Sequence, residues 1–225
     1  MRSRILFITG TDTGVGKTVL TSLLARHLRE CGAAVAALKP ICSGGRADAR
    51  ALYSSQDGVL TLDEINPWHF RAPLAPLLAA RREHRCVKPA DVLAHLRNMA
   101  RRFDAVVVEG AGGLLSPLGE NLNARDLIIA LSAVPIIVCP NRLGVVNHAL
   151  LTIEALPRVI ARRAPLVLMS PRRPDLASRT NPRLLAGILG PERVHEFPWL
   201  SVAGASEQAL ANIRVRHVLG ALPAG

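Results

Sequence analysis

Residues 5–18 read Ile-Leu-Phe-Ile-Thr-Gly-Thr-Asp-Thr-Gly-Val-Gly-Lys-Thr. An apolar run that enters a glycine-rich turn and leaves through Lys-Thr has the layout of a buried strand, a phosphate cradle and a helix. Glycines at 10, 14 and 16 let the backbone turn tightly, so that several N–H groups converge on one phosphate. The helix starting near Lys17 adds the positive end of its dipole. Lys17 supplies a point charge for the terminal phosphates, and the Thr18 hydroxyl is placed to ligate Mg²⁺. The alternative is an ordinary glycine-rich turn, which explains neither the strand before it nor the Lys-Thr pair after it. Five residues separate Gly10 from Gly16, where the common loop has four.

The composition singles out the same place. Of 28 basic residues only Lys17, Lys39 and Lys88 are lysine, so arginine serves wherever a generic positive charge suffices. Lysine at 17 and 39 therefore asks for chemistry: a compact ammonium can approach a phosphoryl or carboxyl oxygen as a planar guanidinium cannot. With 225 residues, 49% of them hydrophobic and 3% aromatic, the chain fits one α/β domain with an aliphatic core. A net charge of +11 invites a nucleic-acid partner. The arginines are scattered, however, and no recognition motif or aromatic platform accompanies them, so the expectation is no nucleic acid. Cys31, Cys42, Cys86 and Cys139 lie far apart, which disfavours a metal cluster or disulfide framework and fits a reducing cytoplasm. Met1 leads almost directly into the first strand and no apolar run reaches membrane-spanning length, so a cytoplasmic protein is expected.

Strands and helices alternate along the chain. Strands are expected at 5–9, 34–38, 105–109, 135–139, 166–169 and near 193–195. Helices are expected at 18–30, from 89 to 102, at 123–132, 145–160 and 182–189, and from about Ser206. The stretch 41–85 reads as irregular, with short helices around 48–55 and 73–80. Continuous apolar strands between helices predict a mostly parallel sheet covered on both faces, in a single domain of 1–225.

Ligands of such sheets bind outside the carboxyl ends of the strands, and the unusual residues fall there. The second strand ends in Lys39-Pro40, with Cys42-Ser43-Gly44-Gly45 beyond. The Val-Val-Val strand ends in Glu109, followed by Gly110-Ala111-Gly112-Gly113. The strand 135–139 is followed by Asn141-Arg142-Leu143-Gly144. Lys39 alone reads equally well as a solvated lysine, Asp48 as a helix cap, and Gly144 to Asn147 as a plain helix start or a carboxylate site. Glu109 is harder to set aside, because an ionised carboxylate at the end of a buried strand needs a cation.

Four motifs, taken in order, resemble one family. GTDTGVGKT (10–18), LKPICSG (38–44), VEGAGGLLSPL (108–118) and NRLGVVNHALLTIEAL (141–156) are similar to dethiobiotin synthetases, whose phosphate loop shows the five-residue spacing. NPWHF (66–70) and EFPWL (196–200) add to the likeness. The resemblance implies ring closure on 7,8-diaminopelargonate with CO₂ and ATP by way of a carbamate and a carbamic–phosphoric anhydride. It implies Lys17, Lys39 and Thr13 as catalytic groups and Thr18, Asp48 and Glu109 as Mg²⁺ ligands. The nucleotide would lie along Gly14, Val15, Gly16, Lys17, Thr18, Val19, Gly110, Ala111 and Gly112, with its base near Pro198, Trp199 and Leu200. Ser43 would touch the carbamate or diamine. Gly144, Val145, Val146 and Asn147 would hold the distal carboxylate from the other subunit of a homodimer. Leu168-Met169-Ser170-Pro171 stands where many relatives place Asn-Asp to read adenine, so a looser grip on the base and use of other nucleoside triphosphates are expected.

Two other functions share the loop. An amidoligase of the cobyrinate a,c-diamide synthase type normally needs an ammonia source, and the chain has no room for an added glutaminase domain. A partitioning ATPase of the ParA/MinD type usually carries a second lysine early in the loop, where Thr11 and Asp12 stand here.

Overall fold

A computed structural model describes residues 3–200 and 207–223. Strand β1 (Arg4–Gly10) enters the loop that precedes helix α1 (Lys17–Glu30), and β2 (Val35–Leu38) follows. After a layer of short elements come α5 (Pro89–Arg102), β5 (Ala105–Glu109), α6 (Ala124–Leu131), β6 (Val134–Pro140) and α7 (Val145–Glu154). The chain continues through α8 (Arg158–Ala161), β7 (Leu166–Met169), α9 (Leu176–Leu189), β8 (Val194–Phe197), α10 (Glu207–Leu210) and α11 (Ile213–Ala221). The six long-range strands form one sheet in the order β2-β5-β1-β6-β7-β8, and every pairing is parallel. Val106, Val107 and Val108 are fully buried, each contributing about 1.5–3 kcal/mol of apolar transfer. That burial on both faces is why β5 carries no polar–apolar alternation until Glu109.

Register decides what meets at the sheet's edge. Leu38 stands opposite Val108, and Ile8 opposite Glu109. Lys39, Glu109 and the start of the phosphate loop therefore emerge side by side. The chain passes from β1 to one side of the sheet and returns to β6 on the other, which makes β1 the topological switch point where ligands bind.

Three expectations need correction. The stretch 41–85 holds the two short helices expected, as α2 (Ala47–Ser54) and α4 (Pro76–Arg82), but it is less irregular than expected, since β3 (Ile41–Ser43), α3 (Leu62–Ile65) and β4 (Trp68–Phe70) lie there as well. β3 and β4 pair in parallel as a separate two-stranded sheet. Strands of three residues carry no readable period, and their pairing partner is distant in sequence. The helix expected over 145–160 ends at Glu154. Pro157 lacks the N–H that would continue it, and α8 starts afresh at Arg158.

Helix α9 begins six residues before the Pro182 start expected for it. Asp175 caps it in a reciprocal capping box with Ser178. Pro182 then sits in the interior, where it cannot donate to the Ser178 carbonyl four residues back. The Asn141 side chain supplies the missing donor at 2.8 Å, and Asn181 in turn donates to Asn141 Oδ1 at 3.1 Å. A side chain from the β6–α7 turn thus repairs α9. Asn141→Ala should lower stability by about 1–3 kcal/mol, the cost of a buried unpaired carbonyl. In a Pro182→Ala background, where residue 182 regains its N–H, the same change should cost less than half as much. Equal losses in both backgrounds, read from urea unfolding, would refute the repair. The onset of the C-terminal helix near Ser206 lies outside the described residues.

Candidate active site

The phosphate loop closes as its glycines require. Gly14 and Gly16 take φ values of +71° and +101°, and Gly16 caps α1. A side chain on Gly16 would press on Met169, whose Cε lies 2.9 Å from the position of a Cβ. Val15 is buried in the core, leaving only its backbone for a ligand. The second glycine segment lies against the loop: a Cβ on Gly113 would come within 3.3 Å of the Thr11 carbonyl. Gly110 packs beneath on Phe7.

Around this loop opens a cavity of about 720 Å³. It is lined by Thr13, Gly14, Gly16, Lys17, Thr18, Val19, Lys39, Ser43, Asp48, Glu109, Ala111 and Gly112, twelve residues singled out from the sequence. Three further features to which the sequence assigned no site role complete the lining: Cys42, Ser116, and a strap of Pro73-Leu74-Ala75-Pro76 that follows β4 and runs into α4. Ser43 ties the strap down by donating to the Leu74 carbonyl at 2.5 Å. The proline-flanked spelling of residues 73–76 was visible, but its position depends on the small β3–β4 sheet.

The ionic groups meet inside. The Lys39 ammonium donates to Glu109 Oε1 at 2.6 Å and to Asp48 Oδ2 at 2.8 Å. Thr18 Oγ1 donates to the same Glu109 oxygen at 2.8 Å. Lys39 is 3% exposed and Glu109 1%. Burial works against the Lys39 charge, but Glu109 and Asp48 outweigh it and hold its pKa above the ordinary lysine value. Burial likewise opposes the charge on Asp48, and the Lys39 ammonium overrides it, leaving the carboxyl below its usual range. Lys17 is placed differently. Its ammonium donates to the Asp12 carbonyl at 2.7 Å, and burial, with Lys39 nearby, lowers its pKa to about 8.

Thr18, Asp48 and Glu109 fit a hard divalent cation. All three offer oxygen, and Glu109 Oε2 is buried with no hydrogen-bond partner among the described residues. One hydroxyl and two carboxylates with phosphate oxygens and water completing the shell is how Mg²⁺ is usually held.

A second cleft of about 670 Å³ lies past Met169, at the carboxyl ends of β7 and β8. Pro198 and Trp199 line it, together with Asn141, Ser170, Glu196 and Arg172, whose guanidinium stands 5.5 Å from the Trp199 ring. Leu200 instead packs partly buried on the core. Gly144, Val145, Val146 and Asn147 form the start of α7 and line neither cleft; Val145 points into the core and Asn147 is exposed.

Comparison with known proteins agrees with this geometry. Residues 4–224 match the family model described as an AAA domain. The chain is 41% identical over 194 residues to the ATP-dependent dethiobiotin synthetase BioD of Anaeromyxobacter sp. (strain Fw109-5), covering 84% of this chain and 87% of that protein. It is 38% identical to the protein of the same name from Bacillus velezensis, over 81% of each chain, and 35% identical to that of Bacillus subtilis, over 96% and 92%. Among solved structures, a ParA family ATPase from Chlorobium tepidum TLS superposes with a TM-score of 0.63 over 98% of this chain and 99% of its own; at 16% identity it shares the fold alone. A phosphate loop of this spacing, the Lys39–Glu109 pair beside it and relatives of one name over most of their length establish that the chain belongs to the ATP-dependent dethiobiotin synthetase family.

Proposed function

We propose that this chain closes a ureido ring on 7,8-diaminopelargonate, consuming CO₂ and ATP and releasing ADP and phosphate. The observation that carries the reading is the meeting of Lys17, Lys39, Thr18, Asp48 and Glu109 on one cavity beside the phosphate loop. One amine of the diamine adds to CO₂ and loses a proton, giving a carbamate. A carbamate oxygen attacks the γ-phosphorus as the bond to the ADP oxygen breaks. The second amine then attacks the carbamoyl carbon, and the C–O bond to phosphate breaks as the ring closes.

The chain's own groups act on charge. Loop N–H groups and Lys17 bind the β- and γ-phosphates, and Lys17 with Lys39 offsets the charge spread over the transferring group. Thr13, at the rim, donates in the same region. Ser43 and the 73–76 strap orient the diamine. Thr18, Asp48 and Glu109 would hold Mg²⁺, which when bound neutralises charge between the β- and γ-phosphates. The α7 start, Gly144 to Asn147, would take the distal carboxylate in a partner subunit's site, making the working unit a homodimer in the cytoplasm.

Purified protein with the diamine, bicarbonate, Mg²⁺ and ATP should release phosphate only when the diamine is present, with the ureido product found by mass spectrometry. Diamine-independent hydrolysis without product would favour a nucleotide-switched ATPase instead. The cleft at Trp199 is lined by Ser170, preceded by Met169, where the family resemblance places an adenine-reading amide in many relatives, so CTP should compete with ATP within about tenfold, one missing hydrogen-bond increment. Discrimination above a hundredfold in a mixed-nucleotide assay would show that another group reads the base.

A further inference from the structure

The two carboxylates assigned to the cation face a single nitrogen. Asp48 Oδ2 and Glu109 Oε1 come from different elements, α2 and β5, yet both lie within 2.8 Å of Lys39 Nζ. Carboxylates brought so close repel unless a cation sits between them, and at 1% exposure Glu109 has no solvent to relieve it. Lys17 lies close enough for its charge to act on both acids, but its ammonium donates to the Asp12 carbonyl and hydrogen-bonds neither carboxylate. Lys39 also leaves the site incompletely bonded: Glu109 Oε2 is buried without a hydrogen-bond partner among the described residues.

We infer that in the nucleotide-free protein the Lys39 ammonium is a built-in substitute for the divalent cation, holding Asp48 and Glu109 in place until the ion takes them over and frees the ammonium into the cavity it lines. The inference rests on the assignment of Thr18, Asp48 and Glu109 to Mg²⁺. It adds a positioning role to Lys39, ahead of any contact with substrate. It also orders events, because the ammonium becomes available to a carbamate only after the cation has arrived.

Thermal unfolding of the whole chain without nucleotide tests this, in EDTA and in saturating Mg²⁺, for wild type, Lys39→Met, Glu109→Gln and the double variant. The wild-type midpoint should barely respond to Mg²⁺. Lys39→Met should melt about 6 °C or more lower in EDTA, from an uncompensated buried charge, and recover in Mg²⁺. The double variant should melt above either single variant in EDTA and ignore Mg²⁺. Should Lys39→Met prove insoluble, a soluble double variant carries the same meaning. A Mg²⁺ response in Lys39→Met no greater than in wild type, or additive losses around the cycle, would overturn the inference. Calorimetry of ADP binding to wild type separates this from the metal assignment. Binding that ignores Mg²⁺ removes the assignment and the inference with it. Mg²⁺-dependent binding beside an unresponsive Lys39→Met removes only the inference.

Discussion

Lys39→Arg is expected to lower turnover by about 10²–10³-fold, the loss typical when one electrostatic group at a reacting centre is displaced. The charge survives the change, so a loss on this scale isolates shape. The Lys39 ammonium is packed at 3% exposure between Asp48 and Glu109, with N···O distances of 2.8 and 2.6 Å. A guanidinium is broad and planar, and its five donors reach carboxylates in a fixed fork rather than from one point. It can satisfy the two acids, but it cannot also present a compact charge to a carbamate oxygen. ATP affinity should change little, because the phosphate loop and Lys17 are untouched. The test is steady-state kinetics with the diamine varied, alongside calorimetric ATP titration. Turnover within threefold of wild type would remove Lys39 from the chemistry, and a matching loss of ATP affinity would place its role in nucleotide binding instead.

The central half of the fold was legible because each of its signals is local. The apolar runs of β1, β5, β6 and β7 announce strands buried on both faces, and the glycine spacing of residues 10–16 marks the loop. Lys39 and Glu109 were legible from their places at strand ends, since parallel register brings those ends together whatever the intervening chain does. What stayed hidden depends on partners distant in sequence. β3 and β4 are three residues each and exist through pairing across residues 44–67. The strap at 73–76 reaches the site only because Ser43 and the Pro117 carbonyl anchor it and the following residue. The early start of α9 was masked by Pro182, a helix-starting signal that Asn141 overrides by bonding the Ser178 carbonyl 37 residues away. Hydrogen bonds of this kind leave no periodic trace, so pattern reading assigns such residues to loops.

Lys17→Gln should abolish useful turnover while making the nucleotide-free protein more stable. The functional half follows from charge. Two charge-assisted contacts to phosphate at about 1.5–3 kcal/mol each predict a loss near 10³-fold in kcat/KM for ATP. The stability half follows from what the lysine endures without phosphate. It is 5% exposed and bonded to one carbonyl, and burial lowers its pKa from 10.5 to about 8. A cation whose folded pKa falls below the unfolded value binds its proton more weakly in the folded state. Its charge therefore costs folding free energy, by roughly 3 kcal/mol at neutral pH. That cost is fully present below pH 8 and fades between pH 8 and 10.5, where the folded protein has released the proton and the unfolded chain still holds it. Lys17→Gln should thus melt several degrees above wild type at pH 7 in EDTA, and the gap should close toward pH 10.5. With saturating ATP and Mg²⁺ the order should reverse, because ligand stabilisation reaches only the form that binds. A variant that melts below wild type at pH 7 without nucleotide would mean that Lys17 holds the loop together rather than waiting, at a cost, for phosphate.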